Sequence, residues 1–231
     1  MLTVAFLVGV AVLSFLAVEI GPLYAADRFR DLREPTDAER GRLEYLRETA
    51  GIDVDRIAIE RRGENETEEK NGNEGVGRIE VAVRGPPRRR VLFLSEAVLD
   101  DVDDDVVIGL FAAEAGRVGT YYGEFRAVAI AAVVGVLAAI VTATVSFDAG
   151  FASLVAVGLT AFWVGRRVQY VADDRAADAV GAGRVADAFE RVAAVRGVEP
   201  ETGDWSTWFE VQPPLGDRIA ALREREGSEK S

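Results

Sequence analysis

Leu110-Phe-Ala-Ala-Glu-Ala-Gly-Arg-Val118 is an apolar helical segment interrupted by one acid and one base. Its spacing is that of the His-Glu-x-x-His helix, where two imidazoles one turn apart hold zinc and the glutamate between them is the general base. The glutamate is present as Glu114, but the two ligand positions are Ala113 and Arg117. A methyl group has no lone pair to offer, and a permanently protonated guanidinium repels a cation. The 231-residue chain contains no His and no Cys. Imidazole and thiolate metal sites, disulfides and a cysteine nucleophile are therefore excluded, and only oxygen ligands remain.

Upstream and downstream of this segment lie three apolar stretches. Residues 2–18 carry no charge, and the apolar character resumes after Glu19 as far as Ala26. Residues 127–147 form a second uncharged run, and 149–165 a third, with Phe162 and Trp163 near its end. Crossing a bilayer takes about 20 largely apolar residues, and aromatic side chains favour its interface. Three spans are expected, with a turn at Asp148 and Gly150 between the second and third. Met1-Leu-Thr-Val lacks the positive start of a secretory signal, so the first stretch reads as an uncleaved anchor, with a cleaved signal as the alternative. Arg28, Arg30 and Arg33 follow the first span, Arg126 precedes the second, and Arg166 and Arg167 follow the third. The positive-inside rule then places the N-terminus and the hairpin turn outside and both polar segments in the cytoplasm. The expected organisation is an anchor over 1–26, a first cytoplasmic part over 27–125, a membrane hairpin over 126–165 and a second cytoplasmic part over 166–231.

The chain carries 39 Asp and Glu against 27 Lys and Arg, a net charge of −12. That balance opposes phosphate binding and argues against nucleic acid as a partner. Lysine occurs only at Lys70 and Lys230. Acidity with scarce lysine suggests a salt-loving source, although an acidic surface also fits an ordinary soluble domain.

In the polar segments, Thr36 with Glu39 forms a capping box that opens a helix running to about Thr49, and Gly51 ends it. Strands are expected at 56–61, 78–84 and 91–94, with a polar loop over 63–75 between the first two. Asp100, Asp101, Asp103, Asp104 and Asp105 lack the spacing and closing Glu of a calcium loop. They read as acids facing the dipole of the helix that follows, a cation site being the alternative.

Three collinear segments carry a family resemblance. Residues 91–117 are similar to the strand, acidic turn and zinc helix of HtpX-like membrane metallopeptidases, the group that includes the CAAX prenyl proteases. After a two-span hairpin, Gln169-Tyr-Val-Ala-Asp-Asp-Arg-Ala-Ala resembles the family's E-F-x-A-D-x-x-A-A helix, whose Glu is the third zinc ligand. Gln212-Pro-Pro-Leu-Gly-Asp-Arg-Ile-Ala-Ala-Leu resembles its H-P-P-x-x-x-R-I-x-x-L segment. The resemblance covers most of the chain from about Arg33. It implies an α+β fold: a mainly helical, zincin-type metallopeptidase-like domain with a small sheet, plus three transmembrane helices.

The resemblance also implies zinc, and the residues that would hold it are replaced. The family's histidines fall on Ala113, Arg117 and Gln212, and its ligand Glu on Gln169. Glu114 keeps the general-base position and Asp173 a supporting carboxylate behind the metal. Zinc is expected for the family and expected to be absent here. The expectation is a catalytically inactive membrane protein, a pseudopeptidase, that binds membrane-protein or unfolded segments or a related active protease. Two alternatives stand beside it. One is a hydrolase with a hard cation at Glu114, Asp173 and Asp174; the other is a purely structural membrane module. An open cleft beside Glu114 would favour binding, and one filled by side chains would favour a scaffold. Trp205 and Trp208 are candidates to line it, or core. Arg117, three residues after Glu114, is expected to pair with it in place of the missing cation.

Overall fold

The computed structural model describes residues 2–62, 79–196 and 213–230. The expected loop at 63–75, Trp205, Trp208 and Gln212 lie outside the described residues. Helix α1 (Leu2–Phe29) leads through the two-residue strand β1 (Leu32–Arg33) into α2 (Asp37–Ala50), followed by β2 (Arg56–Glu60), β3 (Val81–Arg84) and β4 (Val91–Ser95). Then come the short α3 (Glu96–Asp100), α4 (Asp104–Gly119), α5 (Tyr122–Val141), α6 (Phe147–Val180), α7 (Ala182–Arg196) and α8 (Leu215–Glu229).

Local chemistry sets α2. The Thr36 hydroxyl accepts from the Glu39 amide, the Glu39 carboxylate accepts from the Thr36 amide at 2.7 Å, and Gly51 closes the helix at φ 67°. A left-handed residue costs glycine nothing there. Leu43, Leu46 and Ala50 form its buried face.

The sheet order is β1-β2-β4-β3, with β2 and β4 parallel and the two outer pairings antiparallel. Alternation along the strands divides two apolar clusters. Ile59, Leu92 and Leu94 join the main core with Phe111, Val107 and Val185 from the helices. Ala58 and Phe93, on the opposite face, meet Ala26 and Leu23 at the end of α1. The sheet is thereby covered on one side by helices and on the other by the foot of the first span, and among the described residues β3 is an edge strand.

Among the described residues, three helices are long and apolar enough to cross a membrane: Leu2–Ala26 within α1, α5, and α6. Their apolar side chains face outward, Leu13, Val128 and Leu159 among them. In water that surface would be costly, and in lipid it is not. α1 packs along α5, and α5 along α6.

Two expectations shift. The hairpin turn falls at residues 142–146 rather than at Asp148 and Gly150. Ala143 takes a positive φ of 52°, and Ser146 caps α6 by accepting from the Ala149 amide. A serine N-cap outweighs the turn preference of Asp148, which sits in the first helical turn where the dipole favours an acid. In addition, α6 does not end with the third span. It continues unbroken for 34 residues, about 50 Å at about 1.5 Å per residue. The boundary expected at 165/166 thus lies inside one continuous helix, which also carries Gln169 and Asp173.

The acidic cluster behaves as helix-start charge. Asp103 is the N-cap residue of α4, and Asp104 and Asp105 lie in its first turn. Arginines meet them: Arg42 at 2.6 Å from Asp104, Arg184 at 3.3 Å from Asp105, and Arg62 at 2.5 Å from Asp101.

Candidate functional site

Helices α4 and α6 cross at the point where the resemblance places its metal. Gly116 makes that crossing possible: a Cβ there would stand 2.1 Å from the Ala172 carbonyl oxygen. The close approach brings Ala113, Glu114 and Arg117 on α4 to the same seam as Gln169 and Asp173 on α6.

Every carboxylate at the seam is occupied. Glu114 is buried, with 7% of its surface exposed. Its Oε1 accepts from an Arg117 Nη at 2.5 Å, and its Oε2 accepts from the Val83 backbone amide at 3.2 Å. The i,i+3 pairing expected from the sequence is therefore present. Glu114 holds the Arg117 guanidinium above its usual pKa, with Asp173 adding to the effect and burial opposing it. Arg117 thus stays charged.

The Val83 contact was not foreseen. In the β3–β4 register Ser95 donates to the Glu80 carbonyl at 3.0 Å, and Val83 lies opposite Leu92. Antiparallel alternation then turns the Val83 amide to the free edge. Glu114 caps an edge donor that sheet pairing leaves open.

Asp173 is held more tightly. Arg218 on α8 grips it with both arms, Nε to Oδ2 at 2.7 Å and Nη2 to Oδ1 at 2.6 Å, each side chain 5% exposed. The same guanidinium lies over the Phe189 ring at 4.3 Å. Gln169, fully buried, donates from Nε2 to Asp173 Oδ1 at 3.2 Å, while its Oε1 has no partner among the described residues. Arg218 belongs to the motif that begins at Gln212. Its conspicuous place in that motif was the one sequence signal for a role, and no local spacing linked it to Asp173.

This donor set does not fit zinc. Ala113 packs into the apolar core with no ligating atom, Arg117 is a cation, and Gln169 offers a neutral amide. A hard cation fares no better, because Glu114 and Asp173 already face guanidinium groups. Asp174, one residue further along α6, is exposed and lies 3.5 Å from Arg225.

A cleft of about 310 Å³ opens beside Glu114. Its walls come from the lower part of α1, the end of β3, Arg117 and Val118 on α4, and the first turn of α5.

No family model and no curated protein matches the sequence. A solved structure does resemble the fold: Ste24p of S. mikatae superposes with a TM-score of 0.67 over 94% of this chain and 56% of that one, at 16% identity. The chain spans little more than half the length of that structure. The likeness is one of architecture: the chain shares the fold of that structure.

Proposed function

We propose that this chain is a non-catalytic membrane protein of metallopeptidase type, a pseudopeptidase that binds polypeptide without cleaving it. The observation that carries this reading is the engagement of both Glu114 oxygens, one by Arg117 and one by the Val83 amide. A general base in peptide hydrolysis must face a water whose pKa a metal has lowered. Here the carboxylate faces a guanidinium, and the ligand positions carry a methyl, a cation and a neutral amide.

The open cleft beside Glu114 favours binding over a purely structural module. An extended segment of a membrane or unfolded protein, or of a related active protease, would lie along the outer edge of β3, displacing Glu114 from the Val83 amide. In this reading the N-terminus and the 142–146 turn face outward and the sheet domain lies in the cytoplasm.

Elemental analysis of detergent-purified protein, with a casein cleavage assay and a chelator control, tests the catalytic claim. Absence of stoichiometric metal and of chelator-sensitive cleavage is expected. About one divalent ion per chain with chelator-sensitive cleavage would overturn the reading. Because the chain has no Cys, single cysteines at Val145 and Ser231 can test the orientation. Only the first should react with an impermeant thiol reagent in intact cells.

A further inference from the structure

The cleft beside Glu114 carries more positive charge than its own ion pairs consume. Arg117 is matched by Glu114, and Arg90 by Glu124 at 3.3 Å. Arg30 reaches away from the cleft, to Glu60 at 3.0 Å and Glu80 at 3.5 Å. Arg84 and Arg126 also line it, and neither forms an ion pair among the described residues. The remaining acid, Glu19, lies beside the Arg90–Glu124 pair. Among the residues that line the cleft, two arginines without an ion-pair partner among the described residues thus stand against one such carboxylate, Glu19.

The backbone adds to this field. Tyr122, Gly123 and Glu124, the first turn of the 20-residue α5, line the cleft, and Tyr121 supplies no side-chain cap. First-turn amides have no helical acceptor and carry the positive end of the dipole, which favours an anion. Guanidinium forks match phosphate oxygens in geometry as well as charge.

Position then selects the anion. The cleft is bounded by Val18 and Pro22 near the end of the first apolar span and by Arg126 near the start of the second. It lies at the level where a bilayer turns from hydrocarbon to headgroup. We propose that it binds the phosphate of an anionic phospholipid headgroup through Arg84 and Arg126, with the acyl chains running beside α1 and α5. The inference goes beyond the pseudopeptidase reading and does not depend on it.

The test uses the full chain in a neutral detergent and follows its unfolding midpoint as lipid is added. Phosphatidylglycerol should raise the midpoint and phosphatidylcholine should not. In R84Q/R126Q the apparent affinity for phosphatidylglycerol should fall about tenfold or more, whereas R40Q, on the remote α2, should keep it. Should the double variant fail to fold, R84Q and R126Q are read singly, and each should lose part of the affinity. No rise with phosphatidylglycerol, or a rise that both arginine variants retain, would overturn the proposal. An equal, arginine-dependent rise with inorganic phosphate alone would overturn the lipid assignment and leave a free-phosphate site. Metal content and cleavage enter neither outcome, so this proposal and the preceding one fail separately.

Discussion

Two arginine–carboxylate pairs stand at the α4–α6 seam, and they differ in kind. Arg117 and Glu114 are three residues apart on one helix and meet through a single 2.5 Å contact, the Arg117 side chain 27% exposed. Arg218 and Asp173 are 45 residues apart, join α8 to α6 through two contacts, and are almost wholly buried. The first pair is a local adjustment that neutralises a carboxylate within its own helix. The second is a cross-link on which tertiary packing depends, because an unmatched charge there has no water to turn to.

The largest effect should come from breaking the buried pair. Either D173A or R218A should cost about 3–5 kcal/mol, since each strands the other charge. The double replacement D173L/R218M should recover most of that loss. Chemical unfolding in detergent measures both, and a single-variant cost under about 1 kcal/mol would erase the distinction between the pairs.

Next is the seam that both pairs share. G116A places a methyl against the Ala172 carbonyl, where backbone must move. A loss of about 1–3 kcal/mol is expected. Little change in the unfolding midpoint would show that the two helices separate easily, and that the pairs rather than the crossing hold them.

R117A should cost less, about 1–2 kcal/mol. Glu114 would keep the Val83 amide and gain access to the water of the cleft. E114A/R117A should be closer to the parent than R117A alone, and a double-mutant cycle measures the coupling.

A third arginine site, partly buried, extends the comparison. Arg33 contacts Glu39 at 2.7 Å and Glu96 at 2.8 Å at the domain surface. The Arg33 hydrogen bond lowers Glu39 from its ordinary 4.5 to about 2, and Glu96 is lowered by the same partner. A lowered folded-state pKa contributes stability that is fully present above about pH 4.5 and is lost as pH falls toward about 2. Unfolding midpoints between pH 6 and 2.5 should therefore fall less in R33A, which lacks this linkage, than in the parent. Added salt should weaken the Arg33 cluster more than the Arg218 pair. Equal salt sensitivity would mean that Arg218 and Asp173 are as solvated as the surface cluster.

The legible parts of the chain are those in which neighbours in sequence are also neighbours in space. The Thr36–Glu39 capping box, the glycine stop at Gly51 and the Glu114–Arg117 pair all span three or four residues. The hairpin turn was placed a few residues too far along, because Asp148 and Gly150 suit a turn as well as Ser146 suits a helix cap. The continuity of α6 was also hidden. The change from apolar to polar at Arg166 resembles an element boundary, although a helix can leave an apolar layer without interruption.

The order of residues by itself determined the three apolar spans, the strand-like segments and the absence of every imidazole and thiolate ligand. These follow from composition and short-range periodicity, which need no partner. Tertiary structure decided what the carboxylates of the seam do. Arg218 reaches Asp173 from a helix 45 residues away, Val83 offers its amide to Glu114 across the β3 edge, and Gly116 lets α4 and α6 close on each other. A charge in a low-dielectric seam is stable only beside its opposite, and which opposite is within reach is a property of packing rather than of spacing.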